Sequence, residues 1–266
     1  MPIFKLLHNL ISEVTFLLRQ WGLAGFCLLI LLSLCLCPEP SRAGAGTCAS
    51  SKLRIALDIG HSRKEPGAIS ARGKSEYSFN RRFVTEFVEA NRDNPHLDLF
   101  IINQKGGKIS LRARTEIALK EKADLFISIH HDSVNNKYLK KWNDHGRARN
   151  HADAFRGFSV FVSRENKKFD RSLQLARLIA KGFKAGGLSP TLHHAESIKG
   201  ENRKLLSQSL GIYNAPFAVL RTAKMPSVLV ELGVIINREE EKLLDDPDYR
   251  KRLVQNLSTA LQNTCG

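Results

Sequence analysis

Three places in this chain set an imidazole or a carboxylate at the end of, or inside, an apolar run. They are Leu57-Asp58-Ile59-Gly60-His61, Phe126-Ile127-Ser128-Ile129-His130-His131-Asp132 and Val228-Leu229-Val230-Glu231-Leu232-Gly233. Short apolar runs bounded by turn residues read as buried strands. In open α/β sheets ligands collect outside the carboxyl ends of such strands, so these side chains are candidates for one site. Glu231 is the most informative of them. A carboxylate inside a buried run costs several kcal/mol unless it is paired, metal-bound or neutralised. One strand-end histidine alone is ordinarily a satisfied surface group; the argument rests on the set.

A zinc ion would meet the cost of the acid and account for the histidines together. Catalytic zinc sites take three protein ligands of the His/His/Glu kind and keep a fourth position for water, whose pKa falls to about 7. Glu76 can complete such a set with two histidines. Ser75-Glu76 opens a predicted helix soon after the His61 loop, which would aim the acid at the strand ends. Composition and spacing leave the choice of ligands open.

The elements that must position these residues follow from periodicity. From Lys52 onward short apolar runs alternate with longer amphipathic stretches, the pattern of an α/β domain with a largely parallel mixed sheet of about six strands flanked by helices. The predicted strands are 53–59, 97–102, 124–130, 157–162, 215–221 and 227–232. Helices are predicted over 75–91, 111–122, 169–183 and 247–262, where apolar residues recur at three- and four-residue steps. Two connections, 132–156 and 186–214, are long enough to read as substrate walls or a lid. The run Lys137–Arg149 reads as a solvated basic face, and His193 and His194 read as solvated loop residues.

From Arg54 to Leu261 the chain resembles the zinc-dependent N-acetylmuramoyl-L-alanine amidases of bacteria. The motifs are Asp58-Ile59-Gly60-His61 with Pro66-Gly67-Ala68, then Gly73, Glu76 and Asn80, then Leu111, Arg114 and Ala118. Ser128-Ile129-His130, Arg156 to Val160, and Leu220-Arg221 through Pro226 to Gly233 continue the series, which closes with Asn237 and Glu240. The resemblance implies a phosphorylase/hydrolase-like fold, one zinc ion on His61, Glu76 and His130, and Glu231 as general base and then acid. It implies peptidoglycan as substrate, cut between N-acetylmuramic acid and L-alanine.

His131 departs from the family, which usually has a small residue there, so two adjacent histidines compete for one ligand position. Strand alternation points them to opposite faces, and His130 is the one that aligns with the motif. Gly233-Val234-Ile235-Ile236-Asn237 also departs from the usual closing sequence without chemical consequence. Regulated septal members carry an inhibitory helix that the short gap Ser163–Asp170 has no room for. Asn80, one turn beyond Glu76, is placed either to hydrogen-bond it or as an ordinary helix polar residue. Arg114 reads as an ion-pair partner rather than a substrate contact.

Length and composition bound the rest. A chain of 266 residues with 42% apolar content has room for one domain, 52–266, plus a leader and a short linker at 44–51. Residues 1–43 read as an export signal: Lys5 and Arg19 precede an uncharged run from Trp21 to Cys37, and Ser41 and Ala43 suit cleavage after Ala43, or after Ala45. The alternative is a retained anchor, for which a run of 17 residues is short against the ~20 usual for a span. Cys48 and Cys265 remain beyond the leader, either bridged or both unpaired.

Cleavage would lower the net charge only from +15 to +14, because the leader carries three basic and two acidic side chains. An exported domain so basic favours anionic envelope polymers. No zinc-finger spacing or basic–aromatic ladder supports nucleic acid, and no motif identifies an activator protein. Two other functions use the same residue types. A zinc carboxypeptidase or endopeptidase would cut within the stem peptide, and a non-catalytic wall-binding module would keep the fold without turnover.

Overall fold

The computed structural model describes residues 52–198 and 201–265, and of Cys265 the backbone only. The export leader, the linker and the cysteine pairing lie outside the described residues or side chains. Nine strands are described: β1 (Leu53–Ile59), β2 (Leu97–Ile102), β3 (Leu125–Asp132), β4 (Lys140–Asp144), β5 (Arg147–His151), β6 (Ser159–Val162), β7 (Lys204–Ser207), β8 (Ile212–Asn214) and β9 (Ser227–Val234). The helices are α1 (Glu76–Ala90), α2 (Leu111–Lys120), α3 (Phe169–Ala185), α4 (Ala218–Thr222), α5 (Arg238–Asp245) and α6 (Pro247–Gln262).

Seven strands form one sheet in the order β2-β1-β3-β9-β6-β8-β7. The β2-β1-β3-β9 half is parallel throughout, β6 runs antiparallel to β9, and β7 runs antiparallel to β8. Side chains alternate across each strand, and the two faces bury different cores. On one face Ile55, Leu57, Ile59, Ile127, Ile129, Val228 and Val230 pack with Phe83 and Phe87 of α1, Ile179 and Phe183 of α3, and Leu253 and Leu257 of α6. On the other, Ala56, Phe126, Phe161 and Leu229 pack with Ala118 of α2 and with Val219 and Leu220 of α4. Full burial of each large side chain stabilises the fold by roughly 1.5–3 kcal/mol. Among the described residues no helix is long and apolar enough to cross a membrane.

The largely parallel mixed sheet has seven strands where periodicity predicts about six. The apolar run at 215–221, expected to be a strand, ends its pairing at Ala215, whose N–H reaches Val162. Pro216 then removes a ladder donor, and the chain turns into α4 with Phe217 as its N-cap residue. The connection 186–214 contributes β7 and β8, which extend the sheet beyond β6. The basic segment 137–149 contains most of an antiparallel hairpin, β4–β5, closed by His145 and Gly146 with φ of 48° and 84°. Two successive positive φ values give the turn whose twist suits a tight hairpin. A further helix, α5, starts at an Asn237 cap whose side chain accepts from Glu239 and Glu240 N–H.

Candidate active site

β1 and β3 run parallel and in register, so their carboxyl ends deliver His61 and His130 to the same edge of the sheet. β9 is parallel to β3 and sets Glu231 directly opposite His130. Register partners share a face, so His130 and Glu231 project to the same side, the α2/α4 side that also carries Ser128 and Leu229. The fourth group arrives by a helix N-terminus. Ser75 caps α1 by accepting from Ser78 N–H, and Glu76 opens the first turn.

Glu76 is the hub. Its Oε2 lies 2.9 Å from His61 Nε2 and its Oε1 lies 2.8 Å from His130 Nδ1. The two imidazoles stand edge to face, their centres 5.0 Å apart. One ligand atom from each of the three residues lies within 4.8 Å of the other two. Burial opposes the charge of Glu76, but hydrogen bonds to His130 and His61 outweigh it and hold the carboxyl well below the usual carboxylate range. Ala68 N–H donates to Oε2 at 3.0 Å, and Asn80 Nδ2 approaches Oε1 at 3.4 Å and the Gly60 carbonyl at 3.2 Å. Two glycines make this closeness possible. A Cβ on Gly60 would stand 2.4 Å from His130 Nε2, and one on Gly67, at φ 75°, would stand 2.4 Å from Glu76 Oε2.

His61 itself has a φ of 68°, a left-handed conformation costly for a residue with a Cβ. Its carbonyl is held by Arg114 Nη2 at 2.7 Å and Asn103 Nδ2 at 3.0 Å. Arg114 is buried and makes an ion pair of 2.6 Å with Asp58, which also accepts from Ser128 Oγ. Arg114 therefore acts as a strut within the turn.

The side chain of His131 takes no part in the cluster, although its backbone N–H lies 3.5 Å from Glu76 Oε1. It points into the α1 core beside Phe79, with Nδ1 2.7 Å from Asn80 Oδ1, and burial pushes its pKa down to about 3. Glu231 faces the cluster across a cleft. It borders both a cavity of about 410 Å³ shared with Asp58, Arg114 and Leu229 and one of about 310 Å³ shared with Glu76. Its Oε2 is buried and has no hydrogen-bond partner among the described residues. Burial pushes its carboxyl well above the usual range, and the charges of Asp132 and Glu76 push the same way.

A family model described as N-acetylmuramoyl-L-alanine amidase matches residues 55–263. The chain belongs to the N-acetylmuramoyl-L-alanine amidase family. The probable amidase AmiB of Haemophilus influenzae is 30% identical over 226 residues, covering 77% of this chain and 50% of that protein. AmiA of Salmonella typhimurium is 31% identical over 226 residues, covering 80% of this chain and 75% of its own. The chain thus spans half the length of the Haemophilus relative. Among solved structures, the amidase catalytic domain of CwlV from Bacillus (Paenibacillus) polymyxa superposes with a TM-score of 0.61 at 25% identity, over 80% of this chain and 97% of that one. Ami1 of Mycobacterium smegmatis, at 21% identity, shares the fold with a TM-score of 0.62 over 81% of this chain and 99% of its own.

This amidase-family chain holds a second group that the sequence reading passed over. His193 and His194 are not solvated: they pack against Asp132 in the wall of the smaller cavity, with side-chain exposures of 9% and 17%. The two long connections meet there, where Asn135 Nδ2 donates to Glu201 and Tyr138 hydroxyl to Glu196. No local spacing announces this group, because Asp132 and the histidines are 61 and 62 residues apart.

Proposed function

We propose that the chain hydrolyses the amide between the lactyl group of N-acetylmuramic acid and L-alanine in peptidoglycan, with zinc held by His61, Glu76 and His130. The donor set supports that metal: two imidazoles and one carboxylate, converging on a common point, suit a catalytic zinc site that keeps a position open for water. When bound there, zinc supplies a Lewis acid for the scissile carbonyl and lowers the pKa of water.

The remaining steps belong to the chain. Glu231 takes a proton from the attacking water and delivers it to the leaving amide nitrogen, a double duty that suits a carboxyl with a raised pKa. Ala68 N–H and Asn80 Nδ2 brace the Glu76 carboxylate, and Arg114 holds the His61 turn. The apolar wall of Phe217, Val219 and Leu229 beside Glu231 lowers the local polarity around the reacting amide. The observation that carries the reading is the orphaned Glu231 carboxylate facing the His61–Glu76–His130 cluster from the neighbouring strand. The leader supports export to the periplasm or cell envelope, and the basic surface supports contact with anionic envelope polymers.

Purified peptidoglycan digested with the protein should release intact stem peptides with a free L-alanine amino group, leaving glycan strands uncut. Mass spectrometry of the soluble products checks this. Shortened peptides would transfer the assignment to a carboxypeptidase or endopeptidase, and binding without products would transfer it to a wall-binding module.

A further inference from the structure

We propose that Asp132, His193 and His194 form a second site, taking a divalent transition-metal ion of the zinc class that fastens the connection between α3 and β7 over the carboxyl end of β3. The site shares no ligand with His61, Glu76 and His130 and stands on its own geometry. Asp132 ends β3, whereas His193 and His194 sit in a short helical turn of the connection. His194 Nε2 lies 2.7 Å from Asp132 Oδ2, and His193 Nε2 lies 3.3 Å from the same oxygen. One nitrogen from each imidazole and one carboxylate oxygen fall within 4.8 Å of one another.

Only one of the two imidazoles makes a hydrogen bond to Asp132. His194 makes the hydrogen bond to Asp132, while His193 Nε2 is buried, out of hydrogen-bonding geometry, and without a partner among the described residues. A buried imidazole nitrogen 3.3 Å from a carboxylate oxygen but outside hydrogen-bonding geometry calls for a further partner, and an ion shared with that oxygen would supply one. The surroundings fix the donors in place. His193 Nδ1 lies 2.7 Å from Thr191 Oγ1, and when Nδ1 donates there the lone pair on Nε2 faces the carboxylate. Asp132 Oδ1 accepts from Ser133 N–H at 2.8 Å, which leaves Oδ2 for the shared point. The ring of His194 is wedged edge-on against Phe161 and Tyr213, and that of His193 against Phe155.

Two imidazoles and a carboxylate select zinc or a neighbouring first-row ion over calcium or magnesium, which prefer oxygen. Because the connection also walls the cavity shared with Glu231, an ion here would set the position of that wall.

The test uses the full chain with its cysteines alkylated, stripped of metal by a chelator and titrated with zinc alone. Wild type should take two equivalents. Asp132→Asn and the double variant His193→Ala/His194→Ala should take one, and His130→Ala should keep one that disappears when the two sets are combined. Circular dichroism verifies that each variant is folded. As a second readout, zinc should slow tryptic cleavage within 186–203 in wild type and in His130→Ala, but not in His193→Ala/His194→Ala. If folded His130→Ala takes up no zinc, or if the double variant titrates and is cleaved as wild type is, the second site does not exist. Its failure is separable from that of the hydrolytic reading, which depends on the equivalent lost in His130→Ala.

Discussion

At the scale of single residues the site is a contrast between two carboxylates and between two histidines. Glu76 is saturated with partners and stays ionised; Glu231 has a buried oxygen with none among the described residues, and burial raises its pKa. Glu231→Gln keeps the shape and removes the carboxylate that accepts and returns the proton, so zinc content should stay at the wild-type level while kcat falls by roughly three or more orders of magnitude. Metal analysis beside a muropeptide assay reads both, and a variant that still turned over would require another base. Alternation set the two histidines on opposite faces, and the family motif pointed to His130. Facing opposite sides of β3, one reaches Glu76 and the other is sealed in the α1 core. His130→Ala should therefore lose the one zinc equivalent that His130 would share with His61 and Glu76, without a large loss of stability. His131→Ala should keep metal and lose about 2–4 kcal/mol, because a cavity and an unpartnered Asn80 oxygen replace a packed ring. Urea unfolding of the two variants, with metal content measured in parallel, distinguishes them.

At the scale of elements, what the sequence disclosed and what it hid follow from burial. β1, β2, β3 and β9 were legible because they are short apolar runs of Ile, Leu, Val and Phe bounded by turn residues. β4–β5 was not, since Lys140, Lys141, Arg147 and Arg149 carry polar side chains along the strands, and the hairpin is anchored instead by Trp142. That indole donates to the Ala71 carbonyl and lies under Arg72 and Arg238. α4 was misread because five or six apolar residues suit a strand or a helical turn equally, and only Pro216 argued for the turn. The turn after β1 shows how an element end becomes a ligand. His61 is held in a left-handed conformation by a guanidinium that is itself buried against Asp58. Arg114→Ala would leave Asp58 charged and unpaired, which costs about 3–5 kcal/mol. Because the same guanidinium grips the His61 carbonyl, metal affinity should fall as well. Isothermal titration of the folded variant should show weakened zinc binding at the His61 site. Unchanged affinity would mean that Asn103 alone holds the turn.

At the scale of the whole molecule, the proposed action on an insoluble polymer needs a means of docking, and the net charge offers one. Lys and Arg number 41 against 26 Asp and Glu, and the β4–β5 hairpin exposes Lys140, Lys141 and Arg147 on one projecting ribbon. Exposed charges attract a polyanion over about a Debye length, roughly 10 Å at 0.1 M salt and about 3 Å at 1 M. Recognition of an uncharged glycan or of the scissile amide at the cleft would hardly respond to that change. The two contributions can be separated with Glu231→Gln, which should bind without cutting. Its retention on sacculi that still carry their anionic polymers should fall about tenfold or more as salt is raised across that range. Retention on sacculi stripped of those polymers should be weaker at low salt and nearly independent of it. Lys140→Glu with Lys141→Glu should reproduce the high-salt behaviour at low salt while leaving turnover of soluble muropeptides unchanged, since neither side chain lines the cleft. Equal retention on both kinds of sacculi at every salt concentration would mean that the basic surface is a property of solubility and not a means of docking.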